Sequence, residues 1–588
     1  MDSALKVTDQ PQEAAFADVV SGDNVINIPL FQRSYRWTGK NFEELWDDLQ
    51  EILDERARSQ FLGVLVLVSQ ARQIGRPAVY DVVDGQQRLT TCYLTVFAMA
   101  YVAAQNGHAN WAVEVAQTYL LLRPFSENPY NTKLVPAFAD RQQFARLWTQ
   151  FRTLPALAAD GTWPAQYQPS PPAPSGRDTG PLTSQFERIC RKLRPVYAQG
   201  GLDALSQLLT VLVSSLSFVQ ISLRDPTAAP KIFERLNARG ERITTGDLVR
   251  NEVFSRVAQD PNLAHSVFTH HWEPFIQKFS SAEVDLERLL FPYGLIINSA
   301  VTKADLFQVL RRHWTSLPSP QAIIADMDRY SETLIALEVG HAPAAWTPAL
   351  RKAVGRLHEL NVPSSMYAFI LKLVDQTREG VVPESDAVEV LALLEAFLFR
   401  RAVAGYEPTG LHAVFKGMWR ELSDAGLAVT AQNLAARISA RPTVPWPADA
   451  EFAESVRAGD LYNRRVAKYA LRQYEEACHG ETPADDFEIE HILPRTPTDG
   501  WGELLGEDYH RVVHTWANLV PITRSMNPLV GQSSFDVKRA EYAGSMFSST
   551  RRIAADYSSW TLTDIQARSE HLAAWALQRW PQMAVTSA

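Results

Sequence analysis

Two runs of this 588-residue chain hold residue types at spacings that suit chemistry at phosphate. The first is Asp84-Gly85-Gln86-Gln87-Arg88. Before it, Val79, Tyr80, Val82 and Val83 read as a buried strand; after it, Leu89, Leu94, Phe97 and Ala98 fall at roughly helical spacing. A strand, a glycine turn and a helix N-terminus bring unpaired backbone N–H groups together, and the helix dipole favours an anion there. Gly85 admits close backbone approach, and Arg88 offers a planar charged fork for phosphate. Asp84 suits a metal ion or a water, while Gln86 and Gln87 supply neutral hydrogen bonds. The same residues also fit a plain turn with a surface ion pair, and spacing alone does not separate the two.

The second run is Glu488-Ile489-Glu490-His491-Ile492-Leu493-Pro494, followed by Asn518, Asn527 and Lys538. A lone histidine near a proline is most often structural; a carboxylate just before it and two asparagines after it change that balance. Phosphodiester cleavage needs an activated water, a Lewis acid on the phosphate and a stabilised leaving oxygen. His491 suits the general base, since imidazole titrates near neutral pH. Glu490 and Asn527 offer hard oxygen ligands to Mg2+ or Mn2+, leaving positions open for phosphate and water. Asn518 is read as pinning the loop that orients His491, and Lys538 as balancing charge on phosphate. His510 and His514 read as ordinary helix-surface histidines.

The order of these residues, a strand with Glu-His, a second strand opened by Asn and a helix with Asn, resembles the ββα-metal pattern of HNH nucleases over residues 462–546. DGQQR followed by LTT resembles the nucleotide-dependent domain of GmrSD-type and SspE-type DNA restriction proteins. Its Gly85-to-Arg88 core is also similar to the phosphate turn of ParB- and sulfiredoxin-like folds. Two flanking blocks strengthen the resemblance: IPLFQRSYRW (Ile28 to Trp37) and FERLNARGERITTGDLVRN (Phe233 to Asn251). Gln32, Arg33, Tyr35 and Trp37 mix cations with aromatic rings, which can stack a base while holding phosphate; an aromatic loop packed on its own domain is the plainer alternative. Asn237, Arg239 and Asp247 are expected to face the same ligand as Arg88. Thr245 or Asp247 would cap a helix starting near Leu248.

Elements that position these groups follow from patterning. Residues 41–56 form an amphipathic helix with Phe42, Leu45, Leu49, Ile52 and Leu53 on one face; 61–68 and 217–223 are strands. The Pro-, Ala-, Gly- and Ser-rich stretch 154–181 is expected to be a flexible insertion. Helices are expected over 182–198, 202–212 and 231–237, and almost throughout 262–440, including 321–337. Arg400-Arg401 there resembles a family feature whose chemistry is not evident.

Composition sets the bounds. The chain is 46% hydrophobic and 21% charged, ordinary for globular protein, and long enough for two or three domains. No apolar run approaches the ~18 residues a membrane span needs. The three cysteines are too scattered for a disulfide framework or a Cys-based zinc site, and no Walker A motif is present. Net charge is −9, so electrostatics does not by itself lead to DNA. The 231–252 block balances Lys231, Arg235, Arg239, Arg242 and Arg250 with Glu234, Glu241, Asp247 and Glu252.

The expected fold is an α/β ParB/sulfiredoxin-like domain over 1–260, a helical coupling region over 261–440 and a helical domain over 441–588 carrying an HNH-like ββα-metal nuclease. The resemblance implies a cytoplasmic endonuclease, regulated by an NTP (GTP or ATP) and using Mg2+ or Mn2+. Its partner would be double-stranded, modified phage DNA, with no membrane; a homodimer stays open. One competing reading is an SspE-like nicking enzyme that senses phosphorothioate DNA, lined apolarly by Tyr35 and Trp37. Another is a non-catalytic DNA-binding or interaction protein.

Overall fold

The computed structural model describes residues 11–29, 32–70, 77–122, 132–158, 180–223, 244–257, 260–479, 486–496, 501 and 508–582. Asn237, Arg239, the helix expected over 231–237 and most of the expected insertion at 154–181 lie outside the described residues. The chain divides into two compact units, Met1–Pro274 with Leu317–Ile324, and Phe275–Ser316 with Ala325–Ala588. Among the described residues no helix is long and apolar enough to cross a membrane.

The first unit is built on a mixed six-stranded sheet. Its strands are β1 (Gln12–Ala15), β2 (Val25–Asn27), β3 (Gln60–Ser69), β4 (Val79–Asp84), β5 (Leu134–Val135) and β6 (Leu216–Leu223), in spatial order β1-β6-β3-β4-β2-β5. β3 pairs parallel with β6 and antiparallel with β4, while β2 runs parallel to both β4 and β5. The central strands read as unbroken apolar runs because both faces are buried: Leu65, Leu67 and Val82 enter the main core, and Val66, Val68 and Val83 a smaller cluster behind it.

Against the main face lies the Gln86–Gln105 helix, whose side chains are almost all buried. A helix apolar all round must be central rather than superficial. Phe97 stacks on Trp148 at 4.2 Å, and Thr91 and Thr95 return their hydroxyls to the carbonyls of Gln87 and Thr91. The Pro181–Ser214 run packs beside it. It is two helices on either side of a kink at Gly201, as the expected break between 198 and 202 implies, and the positive φ of 61° there is one an L side chain rarely adopts. The amphipathic helix spans Gly39–Leu53 with Phe42, Leu45, Leu49 and Ile52 buried.

Among the described residues the second unit is helical except for an antiparallel strand pair, β7 (Glu488–His491) and β8 (Leu519–Ile522). The expected helix over 321–337 is two, Pro320–Asp328 and Ser331–Val339. Its core explains the arginine pair left open above. Arg400 is fully buried, donating to the carbonyls of Trp580 and Pro447 and to Asp449, while Arg401 donates to the carbonyls of Pro445 and Glu407. Both guanidiniums satisfy chain carbonyls that would otherwise be buried without a donor. Beside them Glu395 Oε1 accepts from Tyr469, Arg579 and Trp580, and Phe399 stacks on Trp580 at 3.7 Å. These contacts fasten the helix Glu384–Val403 to the chain that carries β7 and β8.

Candidate functional site

In the first unit, β4 ends at Asp84 and Gly85 turns the chain with φ 88° into the Gln86–Gln105 helix. The left-handed turn needs glycine twice over, because a Cβ at Gly85 would also sit 2.9 Å from the Val64 carbonyl oxygen. Arg88 lies in the first helical turn, donates to the Leu62 carbonyl at 2.6 Å and stands 3.8 Å from Asp84. Its guanidinium crosses β3 at the irregularity between Phe61 and Val64, over Gly63. Both Asp84 and Arg88 keep about a quarter of their side-chain surface in solvent, 24% and 26%. A forked cation held at 3.8 Å by one carboxylate retains capacity for a phosphate.

The two glutamines do something the sequence did not suggest. Gln86 donates to the Arg33 carbonyl; Gln87 accepts from the Arg36 and Trp37 amides and donates to the Ser34 carbonyl. They fasten residues 32–37 across the helix N-terminus instead of standing open to a ligand. Within that segment, Gln32 donates to the Val83 carbonyl, and Tyr35 is 1% exposed with its hydroxyl 2.7 Å from Thr91. The expectation that Gln32 and Tyr35 read a DNA modification is corrected accordingly: both are consumed inside the domain. Arg33 and Trp37 are half-buried and Arg36 is exposed, so the surface of this loop is theirs.

Asp247 stands at the third position of the Thr245–Ser255 helix, where it and Thr244 form a reciprocal capping box. The cap is Thr244, one residue before Thr245, the earlier of the two expected caps, and Asp247 completes the box from the third position. Two residues not singled out from sequence complete this region. Asp140, 2% exposed, accepts the Tyr35 amide at 2.7 Å, and burial pushes its carboxyl up to about 7 against the pull of that amide and of Arg250. Burial likewise lowers Arg250 to about 10, opposed by Asp247 and Asp140. Asp140 precedes a helix and looks like an ordinary cap; only its partner far along the chain marks it out.

In the second unit a cavity of about 520 Å3 opens beside β7. Glu488, Glu490, His491 and Asn527 all line it, together with Lys468 and Arg495. His491 is 6% exposed, and its Nε2 lies 3.2 Å from His514 Nδ1, with the Tyr462 ring edge-on at 4.4 Å. Burial first, then the neighbouring His514, Arg495 and Lys538, lower the His491 imidazole to about 3. So lowered it is unprotonated in this environment and free to accept a proton, but as a weak base, since a general base works best with a pKa near the working pH. His514 stacks on Tyr462 and belongs to the site, correcting its reading as a surface histidine; His510 stays exposed.

Asn518 is wholly buried and pins the loop as expected. Its Oδ1 accepts from the Leu493 amide and the Trp560 indole, and its Nδ2 donates to the Leu493 and Val513 carbonyls. Lys538 overturns its expectation. It has no exposed surface, and its Nζ donates to Glu490 at 2.5 Å and to the His491 carbonyl at 2.7 Å. It supports the strand from behind and does not reach a phosphate. Glu490 Oε1 is thereby engaged by Lys538 and Tyr542, and burial raises its carboxyl despite that lysine. The carboxylate that meets Asn527 is Glu488, with Oε2 2.5 Å from the Asn527 amide nitrogen. Glu488 was legible in principle, since alternate strand residues share a face and Glu490 had been noted.

Glu488 and Asn527 are a fitting pair for a hard cation. Turning the Asn527 amide over, a choice set only by its partners, would present its oxygen and the Glu488 carboxylate to one ion. Among the described residues no group of three or more His, Cys, Asp or Glu side chains forms a closed metal cage. One or two protein oxygens with open positions is the arrangement Mg2+ ordinarily accepts beside phosphate.

Two family models match the chain. One, described as the N-terminal domain of GmrSD restriction endonuclease, covers residues 16–254; the other, the C-terminal domain of GmrSD restriction endonucleases, covers 446–575. No curated protein matches.

Proposed function

Because the chain belongs to the GmrSD restriction endonuclease family, we propose that it is an NTP-regulated, metal-dependent endonuclease that cuts modified phage DNA. The observation that carries the reading is the cavity beside β7, where an unprotonated histidine, two oxygen ligands and two cations line one space. The pair β7–β8 with the following helices Asn527–Val530 and Phe535–Ala543 is read as an HNH-like ββα unit.

His491 acts as the base. With Nε2 turned to His514, Nδ1 takes the proton of the attacking water. Asn518 and Lys538 hold the loop and strand carbonyl that orient it. Lys468 and Arg495 meet the DNA backbone at the cavity. A divalent cation, when bound, supplies the Lewis acid for the phosphate, with Glu488 and Asn527 as its ligands. In the N-terminal unit Arg88 receives the nucleotide phosphates while Asp84 would hold a metal ion or a water beside them, and Arg33, Arg36 and Trp37 read the modification, held in place by Gln86 and Gln87. The phosphorothioate reading rested on an apolar lining from Tyr35 and Trp37; Tyr35 lies in the core and only Trp37 remains at the loop surface, so the first reading is preferred.

The test combines the purified full chain with Mg2+ or Mn2+, with and without GTP or ATP, and DNA from phages of defined modification, including phosphorothioate DNA. Cleavage that needs metal and is lost in His491→Ala is expected. Cleavage surviving that change removes the site; none under any condition leaves the binding-only reading.

A further inference from the structure

A second cavity, of about 280 Å3, lies in the helical part of the second unit, away from any residue used above. Three segments wall it: the end of the Glu287–Ile297 helix, the Tyr367–Arg378 helix and the Leu411–Asp424 helix. Its floor is aromatic. Phe369 lies 6.0 Å from both Phe415 and Trp419, and the two phenylalanines are buried while Trp419 is half-buried. Among the described residues no acceptor meets the Trp419 indole N–H.

Three cations, Lys372, Lys416 and Arg420, stand around that floor. Little opposes them. Lys372 and Arg420 each have a carboxylate only at 4.0 Å, and the one beside Lys372, Asp375, is already held by both arms of Arg329 at 2.8 and 3.0 Å. Lys416 has no ion-pair partner among the described residues. The remaining wall has the opposite character. The Glu287–Ile297 helix ends there, and among the described residues no backbone N–H meets the carbonyls of Leu295 to Ile297, the chain turning away after Asn298 donates to Gly294. A helix C-terminus repels an anion and welcomes N–H donors.

We infer that this cavity binds a nucleotide unit, with the base against the half-buried Trp419 ring, which Phe369 and Phe415 back from the core, its N–H edge toward the carbonyls of Leu295 to Ile297, and the phosphate on Lys372, Lys416 and Arg420. The base and the phosphate each meet a complementary part of the wall. Planar rings stack on aromatic side chains and phosphates gather lysine and arginine. At about 280 Å3 the volume falls just below the ~300–1,000 Å3 typical of ligand pockets, room for one nucleotide at most. The site is distinct from the Asp84–Arg88 turn and does not rest on the nuclease reading.

The ligand has two sources, a free nucleotide or one nucleotide of a single strand, and the test separates them. The full chain is photo-crosslinked to 8-azido-ATP in one arm and to a bromouracil-containing oligonucleotide in the other, and labelled peptides are mapped by mass spectrometry. Label in the peptides carrying Phe369 or Trp419 is expected, falling about tenfold or more in Lys416→Glu and in Arg420→Glu, exposed changes whose fold is checked by thermal melting. Arg88→Ala should leave this label unchanged. Label confined to other peptides, or indifferent to both charge reversals, overturns the assignment in both arms; label from one arm alone identifies the source.

Discussion

A Cβ on Gly63 would lie 1.7 Å from Nη1 of Arg88. Strand β3 thus leaves one side chain out so that a guanidinium from the neighbouring helix can cross it and reach the Leu62 carbonyl. Gly63 also holds φ at +103°, which an L residue adopts only under strain. Gly63→Ala is therefore expected to displace Arg88 and to cost about 1–3 kcal/mol of stability. Calorimetric titration with GTP and ATP should show the same loss of binding as Arg88→Ala. Wild-type affinity in Gly63→Ala would separate Arg88 from the nucleotide.

The acid limb of the cleavage profile follows from the histidine pair. An imidazole lowered to about 3 stays unprotonated far below the ordinary ~6.5. Activity should persist on the acid side to well under pH 6. Arg495 and His514 each lower His491, so Arg495→Gln should move the limb upward. His514→Ala also removes the partner of Nε2, and kcat should fall as well. Initial rates from pH 4 to 8 on one DNA substrate measure both.

Lys538 and Glu490 form a buried pair, and breaking one side leaves the other uncompensated. Lys538→Met is expected to destabilise the protein by about 3–5 kcal/mol, whereas Glu490→Gln combined with Lys538→Met should recover much of it. Urea unfolding of the two single variants and the double variant provides the cycle. Equal destabilisation in the double variant would mean that Lys538 acts through packing alone.

Asp140 gives a stability signature at mild acidity. Its folded carboxyl titrates at about 7 because of burial, while an unfolded one titrates near ~3.9. Between these values the folded state holds a proton that the unfolded state has lost, so stability falls as pH rises through the window. Asp140→Asn keeps an acceptor for the Tyr35 amide and removes the titration. The stability of wild type relative to this variant should therefore decline between about pH 4 and 7 and level off above. A flat difference would place the Asp140 carboxyl in the ordinary range.

Removing the strap is a separate question from removing the reader. Gln87→Ala deletes the acceptor shared by the Arg36 and Trp37 amides while leaving the solvent-facing side chains unchanged. Restriction of modified phage, scored by plaquing, should fall in Gln87→Ala as it does in Trp37→Ala, with plasmid nicking in excess Mn2+ retained by both. Normal restriction in Trp37→Ala would move the reader elsewhere.

What the sequence determined by itself was whatever depends on neighbours along the chain. The strand before Asp84, the turn at Gly85 and the helix after it follow from a β-branched run, a glycine and helical spacing, all local. The order Glu-His, Asn, Asn likewise marked β7, β8 and the helix beyond as one chemical unit. Direction and partner were decided only by tertiary structure. Whether Tyr35 faces a ligand or the core depends on Thr91 and Asp140, which lie 56 and 105 residues away. Whether Lys538 reaches phosphate or Glu490 depends on which side of a four-residue strand its helix packs. A side chain's type states what it can bond; burial, and the charge already beside it, decide which of those bonds is made. That is why His514 and Asp140 came into view only when distant segments met, and why the glutamines of DGQQR proved to be straps.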